Sequence, residues 1–584
     1  MSTHRLDLDA VGLNVLHNAL ANIAAEMAIV MMKTSYSTIF NEGLDFSTML
    51  LDRQGNIIAE RNFAPSMMGA VNYTLRWCLE ELGESFFQPG DVVVHNDPYR
   101  GNCHLPEHML MKPIYHEGEL IGFAGTIGHL AEIGGKAPGS FASDATDVYQ
   151  EGLRLPPVKL LEGGKYNEQL WRVILANHRT PRNSWGDFHA MIGALNIGER
   201  RLIDLVGRYG LTTVIDGSHQ LIDYAERRLR AELAELPEGS YEAEMTVEDD
   251  GVSTDPFDVK VKLVIKDQRI IADFTGSSPQ VRGPMNCTFV VAAAALYNAV
   301  FSVADPHDLI PRNAGCYRPL QVIAPAGSVV NVKHPGPSVG GNTDLQPKLI
   351  DLLLAAFAKA VPDRVAAATG GSSSNLLFGG THPETGRYYS NYNFDGLGAG
   401  ATARKDGNDG EVTRHSNCRN TPIEVFEHRY PLLTLRYGLA QDSGGAGRHR
   451  GGLGTERIMR VTAPEITFSA LFDRCKLGAP GLFGGEEGGR SALMVKQKGE
   501  HDFRPFTEAF GVKSPTKFTN VVLHEGDELY YRAPGGAGFG PPSERDSALI
   551  AEDVREGYVS AAAAERDYGI DFRSGPTAKT RMGT

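Results

Sequence analysis

Two apolar runs, Met109 to Tyr115 and Leu120 to Thr126, are separated only by His116-Glu117-Gly118-Glu119. That spacing leaves little freedom, because two strands joined by so short a glycine-bearing link form an antiparallel hairpin. Whatever precedes the first run and follows the second must then meet at the hairpin's open end. Before it stands Asn96-Asp97-Pro98-Tyr99-Arg100-Gly101-Asn102-Cys103-His104-Leu105-Pro106-Glu107-His108, and after it Gly128-His129-Leu130-Ala131-Glu132-Ile133-Gly134-Gly135. Upstream, Asp91-Val92-Val93-Val94 reads as a buried strand that Asn96-Asp97-Pro98 ends, since proline donates no hydrogen bond and restricts the residue before it. The hairpin thus returns His104 and His129 to one place, among carboxylates.

Neutral imidazole and carboxylate oxygen suit zinc, manganese or iron, and a catalytic site needs about three protein ligands with one position open. His104-x-x-Glu107 with His129 supplies that number. The plainer reading is two hydrogen-bonded loop histidines, because His-x-x-Glu is a common accident. His108 reads as a bystander, and His116 falls at the far end of the hairpin. Phe46 to Ile57 alternates and turns at Asp52-Arg53-Gln54-Gly55-Asn56, which puts Asp45 at a strand entrance, where a capping or turn aspartate is an equal reading. Cys103 invites a nucleophile reading, but thiolate chemistry needs a base within reach.

These residues carry a family resemblance. The Asn96-Asp97-Pro98-Tyr99 and His104-x-Pro106-acid signature, the His129-x-x-Glu132-Ile133-Gly134-Gly135 that follows, and Pro138-Gly139-Ser140 through Glu151-Gly152-Leu153-Arg154-Leu155-Pro156-Pro157 resemble the B subunits of the hydantoinase and 5-oxoprolinase family. That family includes the large subunits of ATP-dependent acetone and acetophenone carboxylases. The resemblance continues in order through Asp273-Phe274-Thr275-Gly276-Ser277-Ser278-Pro279-Gln280, Asp442-Ser443-Gly444-Gly445-Ala446-Gly447 to Gly452, and Ala533-Pro534-Gly535-Gly536-Ala537-Gly538.

The resemblance implies a division of labour. An A-type partner subunit binds ATP with magnesium and phosphorylates a carbonyl or enol oxygen, and the B-type subunit completes the reaction at a divalent metal. His104, Glu107 and His129 match the family's ligands, and Asp45 in Glu42-Gly43-Leu44-Asp45-Phe46-Ser47 matches an acidic position near that metal. Many members have Asp where Glu107 and Glu132 stand and a second His where Leu130 stands. The longer glutamate keeps its donor oxygen while altering the cavity. The implied function is ATP-dependent hydrolysis of a cyclic amide, with Glu132 or Asp97 as the general base for the attacking water. A ketone carboxylase, toward which the missing second histidine leans, and a non-catalytic scaffold remain the alternatives.

At 584 residues the chain is too long for one core, and the expected fold is α+β and multi-domain. A net charge of −14 argues against a nucleic-acid partner, which needs a basic stripe. The six cysteines lie far apart without a Cys-x-x-Cys pair, which fits a reducing cytoplasm. Met1 to Asp9 is too charged for a secretion signal, and the longest apolar run, Val290 to Val303, falls short of the roughly 20 residues a membrane span needs. The partners expected are the A-type subunit, in a hetero-oligomer, and a small substrate, with no membrane.

In chain order, Leu16, Leu20, Ile23, Met27, Val30 and Met31 share one face of a first helix. Helices are expected at Met68 to Leu82, Asn167 to Ala176, Asp187 to Tyr209 (able to bend at Gly193, Gly198 and Gly207) and Gln220 to Leu236. Pro237-Glu238-Gly239-Ser240 closes a helix-rich metal-site domain, 1–239. A central α+β domain, 240–420, follows, with strands at Tyr241 to Val247, Val259 to Ile265, Arg269 to Phe274 and a pair within Pro319 to Val332, then a helix from Gln346 to Val361. A β-rich, glycine-rich domain, 421–542, precedes a helical tail, 543–584, in which Ser560 is an N-cap. The chain has 66 glycines, which cluster at Gly370-Gly371, Gly396 to Gly400, Gly444 to Gly454, Gly478 to Gly489 and Gly535 to Gly540. None of the clusters has the lysine and Ser/Thr of a P-loop, and Arg450 stands where a dinucleotide loop needs its third glycine, so tight turns are their expected use. His415-Ser416-Asn417-Cys418 to Glu427-His428-Arg429 is a second polar cluster, facing solvent or a subunit joint.

Overall fold

The computed structural model describes residues 8–572. The reading of the charged start therefore lies outside the described residues up to Asp7, as does the end of the tail from 573. Helix α1 (Ala10–Thr34) is capped by Asp9, whose carboxylate accepts the Gly12 N–H at 2.7 Å. Its length and a mean hydropathy of 1.4 would suffice for a membrane span, so the Val290 to Val303 run is not the longest apolar helix. Here the stripe of Leu16, Leu20, Ile23, Met27 and Met31 is buried in the protein core.

A turn of helix α2 (Thr38–Asn41) leads into the sheet that carries the site. Its strands are β1 (Phe46–Asp52), β2 (Ile57–Asn62), β3 (Val92–His95), β4 (Glu107–His116), β5 (Glu119–His129), β6 (Val158–Glu162) and β7 (Lys165–Tyr166), in the order β2-β1-β5-β4-β3-β6-β7. Alternate side chains feed two cores: Leu50, Val92, Val94 and Leu110 join the main one, while Met49, Leu51, Val93, Met109 and Met111 join another. Both faces are thus covered, which is why the strands read as continuous apolar runs. The β4–β5 hairpin turns through Glu117 and Gly118, both at positive φ, as a two-residue turn matching strand twist requires.

Around this sheet stand α3 (Ala70–Leu82), α4 (Glu168–Asn177), α5 (Pro181–Tyr209) and α6 (Leu211–Ala234). α5 starts earlier than its apolar period indicates, with Pro181 in its first turn, and is one helix through all three glycines. Of the three, Gly198 serves packing: a Cβ there would stand 2.7 Å from Met27 Sδ of α1.

Chain direction changes character at β8 (Gly239–Val247), which with β9 (Phe257–Lys266), β10 (Arg269–Asp273) and β11 (Leu320–Ile323) forms a sheet ordered β11-β10-β9-β8. The expected strand pair within Pro319 to Val332 is one strand; 328–331 is only an isolated bridge. Helices α7 (Phe289–Ala304), α8 (Ala314–Tyr317) and α9 (Gln346–Ala358) are largely buried. Their apolar side chains enter the same core as α1 and the site sheet, so residues 240–365 pack with the N-terminal part rather than around a centre of their own.

The remainder is β-rich, as read. β12 (Asn375–Thr381) and β13 (Tyr388–Asn393) precede β14 (Leu432–Leu439), β15 (Thr455–Val461), β16 (Glu465–Leu471), β17 (Ala492–Lys496), β18 (Arg504–Pro505), β19 (Lys517–His524) and β20 (Glu528–Arg532). They build one sheet ordered β13-β12-β16-β19 and another ordered β14-β15-β20-β17-β18, with a second core between them. The glycine clusters are not chiefly tight turns. They are extended segments laid side by side, joined by bonds such as Gly536 N to Gly452 O at 2.9 Å and Gly452 N to Ala399 O at 2.8 Å. A Cβ on Gly536 would stand 1.9 Å from Ala399 O. Backbones this close admit no side chain.

Candidate metal centre

The hairpin register opposes Glu107 to His129, the first residue of β4 to the last of β5. His104 lies one turn earlier in a loop held by Asn102, whose amide donates to Glu107 O at 2.6 Å and to His104 O at 3.3 Å. The two imidazole centroids are 5.2 Å apart. Asp45 arrives from the neighbouring strand, its carbonyl accepting the His129 N–H at 3.1 Å. Three separate chain segments are thereby gathered at one sheet end.

The gathering is dry. His104, Glu107 and His129 are each 1% exposed and Asp45 9%. Burial pushes the Asp45 carboxyl up to about 7, against a hydrogen bond from Cys418. It pushes Glu107 well above the carboxylate range, helped by the Asp45 charge. The same desolvation keeps the imidazoles neutral, His104 well below its usual value and His129 down to about 3. Neutral imidazole is the form that binds a metal.

Among the described residues, these are the two histidines with both ring nitrogens buried and unpartnered, and Glu107 Oε2 shares that condition. His104 Nδ1 stands 3.6 Å from Glu107 Oε1, too far for a hydrogen bond. The side chains have not converged either: no group of three or more His, Cys, Asp or Glu among the described residues stands in an arrangement that could hold a metal ion. Donor chemistry and orphaned atoms therefore fit a divalent cation, while the closed shell of a finished site is not formed. Side-chain rotation converges donors at small cost, whereas buried unpaired polar atoms are expensive.

Glu132 and Asp97 are placed otherwise. Glu132 accepts the N–H groups of Gly134 and Gly139 at 2.5 and 2.9 Å and the guanidinium of Arg179 at 2.9 Å. Asp97 caps the turn at Pro98–Arg100 through the Tyr99 N–H and pairs with Arg100 at 3.3 Å. Both carboxylates are occupied in holding the loops around the site. His108 is likewise taken up, between Pro106 O and the Asn96 amide.

Distant segments complete the surroundings. Phe141 and Tyr392 lie nearly parallel to the His129 ring, with centroids at 5.5 and 5.0 Å. The Tyr392 hydroxyl donates to Asn375 Oδ1 at 2.7 Å. His415 is buried within electrostatic reach of His104, its Nδ1 2.6 Å from the Thr413 hydroxyl. Cys103 and Cys418 hydrogen-bond Glu107 and Asp45, and burial raises both thiols. Cys103 and the polar cluster from His415 to Arg429 stand out in the sequence; Phe141 and Tyr392 carry no local signal.

A family model described as hydantoinase B/oxoprolinase matches residues 9–542. The chain is 30% identical over 572 residues to the caprolactamase subunit beta of Pseudomonas jessenii, covering 96% of each. Among solved structures it is similar to the ATP-dependent caprolactamase from Pseudomonas jessenii, with a TM-score of 0.89 and 28% identity over 98% of this chain and 99% of that one. It shares the fold of acetone carboxylase in its nucleotide-free structure, with a TM-score of 0.86 at 19% identity over 97% of this chain and 80% of that one.

Proposed function

Because the chain belongs to the hydantoinase B/oxoprolinase family, we propose that it is the B-type subunit of an ATP-dependent hydrolase of cyclic amides, hydantoin-like or oxoproline-like. The observation that carries this reading is the pair of buried, doubly unpartnered imidazoles facing two buried carboxylates. Asp45, His104, Glu107 and His129 would hold a divalent cation, zinc, manganese or iron, which when bound supplies Lewis acidity toward water and a carbonyl oxygen. An A-type partner carrying ATP and magnesium would activate the carbonyl by phosphorylation, in a cytoplasmic hetero-oligomer.

The chain's own residues then bind the activated compound, exclude bulk water and take up a proton. Phe141 and Tyr392, themselves stacked with centroids 4.9 Å apart, both lie against the His129 ring, and burial of all four donors strengthens every interaction among them. Glu132 and Asp97 are already engaged and Glu107 Oε2 is among the atoms that fit the cation, so the proton falls to Asp45, the least buried of the four.

Copurification with an ATP-binding subunit, about one metal per chain, and ATP turnover that requires a cyclic amide would support the hydrolase. The fold shared with acetone carboxylase favours one second reading, and ATP turnover requiring both a ketone and bicarbonate would decide for it. Metal-free protein whose His104 and His129 can be replaced without loss of the complex's activity would mark a scaffold subunit.

A further inference from the structure

A groove of about 820 Å³ opens on the surface between the end of α9, the turn at Pro362–Arg364 and the loops from Ala399 to Arg414. Its walls carry as many carboxylates as cations, yet the two sets largely do not neutralise each other. Asp305 is held at 2.9 Å by Arg312, and Asp406 by both terminal nitrogens of Arg545 at 2.8 and 2.7 Å, cations that stand outside the groove. Glu411 accepts from Asn408 at 2.7 Å, and Glu232 faces Arg228.

The cations are left over. Arg364, Arg404 and Lys405 are exposed and make no ion pair among the described residues. Arg414 is half-buried and makes no ion pair among the described residues; it lies within electrostatic reach of Asp351, a buried carboxylate that already accepts the Thr369 N–H at 3.1 Å. Asp363 and Glu411 are the acids there that pair with no cation among the described residues, two against these four cations. Guanidinium forks and an ammonium around a concave, solvated space match the oxygens of phosphate in charge and geometry.

Arg414 also links this groove to the buried cluster. It lines the groove, while the next residue, His415, lies within electrostatic reach of His104, and Cys418 bonds Asp45. Arg414 on the groove and His415 and Cys418 at the cluster thus belong to one short segment.

We propose that this groove binds the phosphate group of a small-molecule ligand, through Arg364, Arg404, Lys405 and Arg414. That the natural ligand is the compound phosphorylated by the partner rests on the hydrolase reading above; the phosphate site itself does not.

Calorimetric titration of inorganic phosphate into the whole chain, against chloride at equal ionic strength, tests it. Arg414→Ala and the double variant Arg404→Ala/Lys405→Ala are each expected to weaken binding about tenfold or more, as loss of a charge-assisted hydrogen bond implies. Lys333→Ala, on a different surface groove, is expected to bind as the parent does. Should Arg414→Ala fail to fold because the charge near buried Asp351 is lost, the exposed double variant carries the test alone. Competition by ATP would identify a nucleotide as the phosphate's source, and absence of competition a smaller phosphorylated molecule. No phosphate binding by the parent chain, or binding unchanged in the double variant, overturns the proposal. So does binding lost only in His129→Ala, which would place the anion in the buried cluster. Phosphate binding through the groove in a protein whose His104 and His129 can be replaced without loss of the complex's activity would defeat the hydrolase reading while leaving this one standing.

Discussion

His104 and His129 each leave two ring nitrogens buried without a partner, and such an atom costs about 1–3 kcal/mol. A cation among them removes that cost, so replacing either histidine should remove metal and leave the fold. We expect His129→Ala to lose at least the about 10–100-fold in metal affinity that even an outer partner of a ligand is worth, read by metal analysis after dialysis, and to lose turnover. Melting temperature of the metal-free protein should hold or rise. A metal-replete, fully active His129→Ala protein would defeat the assignment. Glu132 leads to a different expectation, because its carboxylate takes three donors. In Glu132→Gln one acceptor becomes a donor pointed at another donor, costing about 1–3 kcal/mol in urea unfolding. Unchanged stability with abolished turnover would restore Glu132 as the general base. Proximity in sequence to His129 could suggest a catalytic role; it could not reveal Arg179, 47 positions further on.

At the scale of elements, spacing was most informative where local rules decide the outcome. The β4–β5 hairpin and the Ser560 cap, whose Oγ accepts the Ala563 N–H at 3.1 Å, follow from turn and cap chemistry within a few residues. Glycine was ambiguous, since the same residue permits a turn, a bend or a close approach. Gly207 in α5 has nothing within 4 Å of a would-be Cβ, whereas at Gly536 that carbon meets a backbone oxygen at 1.9 Å. Gly207→Ala should therefore stabilise by up to about 1 kcal/mol through helix propensity. Gly536→Ala should cost about 3 kcal/mol or more, because backbone cannot rotate away as a side chain can. Equal thermal shifts for the two variants would show that the glycine segments are not closely packed.

For the molecule as a whole, distant parts are joined through buried groups that titrate. Glu151 Oε1 accepts the N–H groups of Ser338 and Val339, both at 2.8 Å, tying the loop before α9 to the site sheet's surroundings. Burial pushes its carboxyl from 4.5 up to about 8. The folded protein then keeps a proton that the unfolded chain has released, so the group's stabilising contribution is fully present below about pH 4.5 and is lost as pH rises through about 8. Glu151→Gln should flatten the fall in melting temperature across that window; an unchanged slope would assign it to other groups. The sequence by itself determined the hairpin, the meeting of His104, Glu107 and His129 at its open end, and the β-rich character of the later chain, because strand period and turn residues act locally. Only the tertiary structure decided that the site is dry, that Tyr392 and His415 close over it, and that Glu132 is braced by Arg179. Desolvation and electrostatic pairing depend on which segments cover one another, and a local pattern states where a side chain points without stating what will lie against it.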